Sequence, residues 1–228
     1  MLMIKDRRIR KALGAIIPFV LIPAVAFAGA MLLDARWHLW VSLAVALLTL
    51  WLFIAGVEKK MVGSRRAVLV AVMIALCVVG RLIPFFKPVT AITVLAAVYL
   101  GKESGFTVGA FAALLSNFYA GQGPWTPFQM LAWGSIGFFA GLLSKPLQRS
   151  RAALLLYGGV SGVVFSLIMD LWSVMWYEPT PTPALYWGAI VTALPHTVLY
   201  LVSNLLILYL LAKPFGDKLN RIKIKYGV

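Results

Sequence analysis

The sequence is poor in charge, poorer still in acid, and has one cysteine. Charged residues make up 12% of its 228 positions against 62% hydrophobic ones, and only seven are Asp or Glu. That balance excludes a soluble domain and points to an integral membrane protein, whose apolar segments cross the bilayer as helices. The lone Cys77 lies in an apolar segment, which rules out an intrachain disulfide framework and leaves it a small packing residue. No Cys/His cluster has metal-ligand spacing, and His38 and His196 are far apart, so no metal and no cofactor is expected. A G-x-x-x-x-G-K-[ST] loop is missing, which excludes ATP hydrolysis by that route. Neither a Ser/His/Asp order nor paired carboxylates point to catalysis, and no series of buried acids points to a proton-coupled pump.

What the chain does have is apolar length. Eight segments read as spanning helices: 12–33, 39–57, 67–83, 88–100, 105–119, 127–144, 152–175 and 184–212. The fourth and fifth are short enough to form a re-entrant pair, but the charge pattern needs both to cross. The expected fold is therefore an all-α polytopic bundle. A basic tail and two-helix hairpin (1–57) lead through a basic linker (58–66) into a six-helix core (67–212) and a basic tail (213–228). The first segment, ending in Ala26-Phe27-Ala28 before Gly29, also resembles a signal peptide. Its length, with Pro18 and Pro23, favours an uncleaved, kinked helix.

Lys and Arg orient the bundle. With a cytoplasmic N-terminus, 18 of the 21 basic residues fall on the inner side, and only Arg36, Arg81 and Lys87 on the outer. Both termini are then cytoplasmic. The net charge of +14 is accounted for by this orienting charge and by anionic lipid, with no call for nucleic acid.

Polar punctuation gathers at the outer ends of the core segments. Arg81 ends the first core helix, followed by Phe85 and Lys87; an ionised side chain there faces a ligand mouth or snorkels to headgroups. The run from Asn117 to Gln129 combines glycine and proline turns with the hydrogen-bonding groups of Asn117, Gln122, Thr126 and Gln129. Tyr119 and Trp125 in the same run offer flat surfaces, for a ligand or for a membrane-interface belt. Asp170, with Trp172 and Trp176 beyond it, needs a partner, and Arg81 is the expected one. His196 and Asn204 share a face of the last helix as ligand contacts or interhelical hydrogen bonders. Small residues at four-residue spacing (Ala67, Ala71 and Ala75; Gly137 and Gly141; Gly158 and Gly162) suit close helix packing, and the alanines equally suit a partner interface.

These features in sequence resemble the substrate-binding S component of energy-coupling factor (ECF) transporters. The resemblance runs from Ala67 to about Ala212. It rests on the alanine stripe, Arg81-x-x-Pro84, Tyr99-Leu100-Gly101, the Gly105/Gly109 helix, and the GQGPWTPFQM turn leading to Gly134, Gly137 and Gly141. It implies a prokaryotic multi-pass plasma-membrane protein without enzymatic activity. Such a protein captures a vitamin at its outer face beneath the 82–88, 120–126 and 173–184 loops. Its partners are then a membrane-embedded coupling subunit, docked on Ala67, Ala71 and Ala75, and two ATPases, and delivery proceeds by toppling of the S component. The ligand contacts so implied are Arg81, Phe85, Lys87, Asn117, Tyr119, Gln122, Trp125, Gln129, Asp170, Trp172, Trp176 and His196. The GPWTPFQ turn looks most like the cobalamin branch. The leading hairpin departs from the six-helix pattern. The rival reading is a membrane enzyme acting on a lipid or isoprenoid through Arg81, Asp170 and His196, with a stand-alone transporter third.

Overall fold

A computed structural model describes residues 6–32, 35–56, 60–83, 85–178 and 180–226. Pro84 of the Arg81-x-x-Pro84 motif lies outside the described residues, as do Lys5 and Lys59 among the inner basic residues. Among those described, every regular element is helical.

Helix α1 (Arg7–Ile16) starts at Asp6, whose carboxylate accepts from the Arg8 amide at 2.7 Å. It passes into a π-helical turn (Ile17–Leu21) and then α2 (Ile22–Leu32). Pro18 explains the widened turn: it lacks an N–H and its ring crowds the carbonyl four residues back. Helix α3 (His38–Ala55) returns to the inner side, and Gly29 of α2 admits Val41 of α3.

The remaining chain forms α4 (Lys60–Arg81), α5 (Val89–Leu100), α6 (Lys102–Ala120), α7 (Thr126–Leu142), α8 (Ser144–Arg149), α9 (Arg151–Tyr177) and α10 (Pro183–Tyr226). Over its described residues, each segment expected to span is helical for most of its length. Arg8–Met31, His38–Ala55, Arg151–Tyr177 and Pro183–Ile222 are each long and apolar enough to cross a membrane. At twelve residues α5 is about 18 Å long, well short of a hydrocarbon core of about 30 Å. It tolerates this because protein surrounds it: it packs on α4, α6, α7 and α10, and all its residues but Tyr99 are buried.

Glycine sets the closest crossings. A Cβ on Gly109 of α6 would strike the backbone of Trp133 and Gly134 on α7, and one on Gly105 would reach the Gly137 carbonyl at 2.7 Å. Gly158 and Gly162 of α9 receive Leu208 and Asn204 of α10. The Gly158/Gly162 pair, with Gly137 and Gly141 (which meets Lys102), is thus internal packing, the contact by which helices associate in lipid.

Two features differ from the sequence reading. A short helix, α8, follows α7, anchored by buried Leu147. Helix α10 continues past residue 212 to Tyr226 with Pro195 and Pro214 inside it. Its extension is held by packing: Leu219 is buried, and Gly216 lies against the Tyr99 ring of α5. The leading hairpin lies on α6 and α7, with Phe19 edge-on to Phe138 at 5.1 Å and Phe27 edge-on to Phe128 at 4.9 Å.

Candidate functional site

The outer ends of α4, α6 and α7 enclose a polar cluster that the helix ladder alone would not need. Arg81 extends from α4 to α6, where Nη1 donates to Ser116 Oγ at 2.5 Å and to Asn117 Oδ1 at 2.8 Å. Asn117, fully buried, turns its amide nitrogen to α7 and donates to Thr126 Oγ1 and Gln129 Oε1, both at 2.8 Å. Thr126 in turn donates to Gln122 Oε1 at 3.0 Å, and Gln122 donates to the Leu114 carbonyl at 2.9 Å. Six side chains from three helices and a turn are therefore joined in one hydrogen-bonded network. Gly121, with φ of 106°, gives α6 the abrupt exit that folds Gln122 back over it.

Beneath the polar layer is an aromatic one. The Arg81 guanidinium lies 5.4 Å from the centre of the Trp133 ring. Trp133 stacks on Phe165 of α9 at 4.3 Å with an interplanar angle of 9°, and Phe165 meets Tyr200 of α10 at 4.9 Å. Lys87, in the α4–α5 loop, places Nζ 5.9 Å from the Tyr200 ring centre. Burial, and then the neighbouring Arg81 cation, hold the Lys87 ammonium below the usual lysine range. Five helices thus meet around one guanidinium and one ring stack.

A second cluster adjoins it. Trp125, just before α7, is edge-on to Trp172 of α9 at 6.0 Å, and Trp172 is stacked near Trp176 at 6.1 Å. Trp176 also lines a small crevice with His38 of α3 and Pro124, so the leading hairpin contributes to this rim.

The expected Arg81–Asp170 ion pair is not formed. Arg81 is committed to α6, and the electrostatic neighbours of Asp170 are His196 and Tyr186 of α10. The reason is topological: α4 packs on α5 and α6, whereas α9 pairs with α10. Asp170 Oδ2, the Trp172 indole N–H and both side-chain heteroatoms of Asn204 are buried without a protein partner. His196 is exposed. Phe85 and Tyr119 are also outside the cluster, 81% and 76% exposed, and Phe85 is held at a φ of 60°. Arg81, Asn117, Gln122 and Gln129 are brought together directly, and Trp125 joins Trp172 and Trp176. Ser116, Trp133, Phe165 and Tyr200 belong to the site although the sequence did not single them out. The adjacent Ser116-Asn117 pair in an otherwise apolar helix was the available signal. Among the described residues no three His, Cys, Asp or Glu side chains cluster as a metal site would require.

On α4, Val70, Met73 and Cys77 face inward. Ala71 and Ala75 are exposed beside Val68, Val72 and Val79, and Ala67 is half-buried against the core. Among the described residues no helix covers Ala71 and Ala75.

No curated protein and no solved structure matches the chain. Residues 61–215, more than half of it, match the family described as ECF-type riboflavin transporter, S component. The matched span covers α4 to α9 and the membrane portion of α10, the same elements that build the two clusters. The membrane-enzyme reading is thereby set aside, and the family is named for riboflavin, not for cobalamin, the first expectation. The protein is a multi-pass plasma-membrane transport subunit, not an enzyme, and it belongs to the ECF-type riboflavin transporter S component family.

Proposed function

We propose that this protein captures riboflavin, or a flat heterocyclic vitamin of similar shape, at its outer face and hands it to an ECF coupling subunit driven by two ATPases. The observation that supports this most is the pairing of a ring stack with incompletely used buried polar groups. An isoalloxazine presents a flat face and one edge of alternating acceptors and donors. The Trp125–Trp172–Trp176 group offers faces for the former. Asp170 and the Trp172 N–H, lacking protein partners, suit the latter. Burying such groups unsatisfied costs about 1–3 kcal/mol each, which a ligand edge can offset. Arg81 and Lys87, beside the rings of Trp133 and Tyr200, are cations suited to the hydroxyls of a ribityl chain. The exposed Ala71 and Ala75 on α4 fit close approach of the coupling subunit.

The test uses riboflavin's own fluorescence, which stacking on tryptophan quenches. Purified protein in detergent is expected to quench it saturably at one molecule per chain, with cobalamin failing to compete. Undiminished riboflavin fluorescence together with saturable cobalamin binding would overturn the assignment of cargo.

A further inference from the structure

At the opposite end of the bundle from these clusters, α8, the start of α9 and the extension of α10 enclose a groove of about 380 Å³. Arg149, Arg151 and Lys213 line it with Tyr99, Asn220 and one acid, Asp217. Arg151 is fixed there: Nη2 donates to the Tyr209 carbonyl at 2.6 Å, and the guanidinium lies 4.1 Å from the Tyr209 ring centre.

We infer that this groove binds the phosphate of an anionic diacyl phospholipid from the inner leaflet. Three arguments converge. Three cations against one acid leave a positive concavity suited to a single phosphodiester. Its depth is that of the headgroups, because Arg151 is the first residue of a helix long and apolar enough to span. Exposed apolar side chains continue from it toward the bilayer centre, with Leu156 on α9 and Leu206, Tyr209 and Leu210 on α10 between 55% and 69% exposed, a path for acyl chains. A soluble phosphate ester would need the first feature and not the third. The lipid would bridge α9 to the α10 extension, which the family match does not reach beyond residue 215.

The experiment is native mass spectrometry of the full chain, released from detergent with phosphatidylglycerol or phosphatidylcholine and, separately, titrated with glycerol phosphate. Discrete retention of one phosphatidylglycerol is expected, weakened about a hundredfold by Arg149→Gln/Arg151→Gln/Lys213→Gln. The same charge removal at the other end of the chain, Arg8→Gln/Arg10→Gln/Lys11→Gln, is expected to leave it unchanged. Equal loss in both triple variants would reduce the effect to diffuse charge and overturn the site. Equal retention of phosphatidylcholine, or displacement by millimolar glycerol phosphate, would overturn the lipid as occupant. An unchanged melting temperature in the groove variant separates lost binding from lost folding, and a lowered one is answered by Lys213→Gln alone, which must still weaken retention severalfold.

Discussion

Replacing Asn117 by Leu tests whether the outer ends of α4, α6 and α7 act as one unit. Asn117 accepts from Arg81 and donates to Thr126 and Gln129, all at 2.8 Å, and has no solvent exposure. Leucine removes a hydrogen bond to a charged group, worth about 1.5–3 kcal/mol, and two neutral ones near about 1 kcal/mol each. Arg81 keeps Ser116, and Thr126 keeps Gln122, so part of that loss is recovered. The expected net destabilisation is about 3 kcal/mol, read as a shifted denaturant midpoint in detergent. Arg81→Met alone should give about 2 kcal/mol. Because the two share a bond, the double variant should fall short of the sum by about 1–2 kcal/mol. Asn117→Asp is a sharper control: it strengthens the Arg81 contact but turns a second acceptor toward Gln129 Oε1, so it should still destabilise. Strict additivity of Arg81→Met and Asn117→Leu, or an Asn117→Leu midpoint no lower than that of Ser116→Ala, would refute the wired cluster.

Other outcomes follow from the same geometry. Gly109→Leu would place a side chain in the backbone of Trp133 and Gly134, a loss above about 4 kcal/mol expected to appear as aggregated material on size exclusion, while Gly188→Ala, in open space, should elute normally. Ala71→Trp with Ala75→Trp should leave ligand affinity within about twofold and weaken co-purification with the coupling subunit about tenfold or more, because those positions are exposed on α4. Trp172→Phe should keep the aromatic contacts but lose the unpaired indole N–H, lowering riboflavin affinity about tenfold in fluorescence titration without moving the melting temperature by more than a few degrees.

The membrane class, the eight helical segments and the position of the polar rim were all legible in the sequence, because hydrophobic length, Lys/Arg placement and turn residues are local signals. Helix pairing was not. Small-residue spacing marked faces able to pack closely, yet Gly137 and Gly158 look alike in sequence, and only the fold shows that one meets α6 and the other α10. The same limit misplaced the partner of Arg81. Two opposite charges at the outer ends of different helices are a natural pair on paper, but α4 and α9 are not neighbours, and the guanidinium finds neutral acceptors closer by. Trp133, Phe165 and Tyr200 were passed over because an aromatic residue in an apolar run reads equally as lipid-facing. Their stacking depends on a three-helix meeting that no single periodicity encodes.

The leading hairpin turns this limit into an argument about mechanism. It lies outside the family match, so nothing in the six-helix pattern fixes where it docks. It could have covered the alanine face of α4 and so blocked a partner there. Instead its aromatic side chains Phe19 and Phe27 pack on α7, while Ala71 and Ala75 stay exposed. Its outer turn brings His38 beside Trp176 and Pro124 at the rim of the ligand cluster. On the function proposed above, an addition that leaves the proposed docking face clear and reaches the proposed capture site would act on cargo more than on coupling. His38→Ala is therefore expected to alter ligand affinity severalfold and leave coupling-subunit association unchanged; the reverse pattern would show the hairpin to be part of the docking surface.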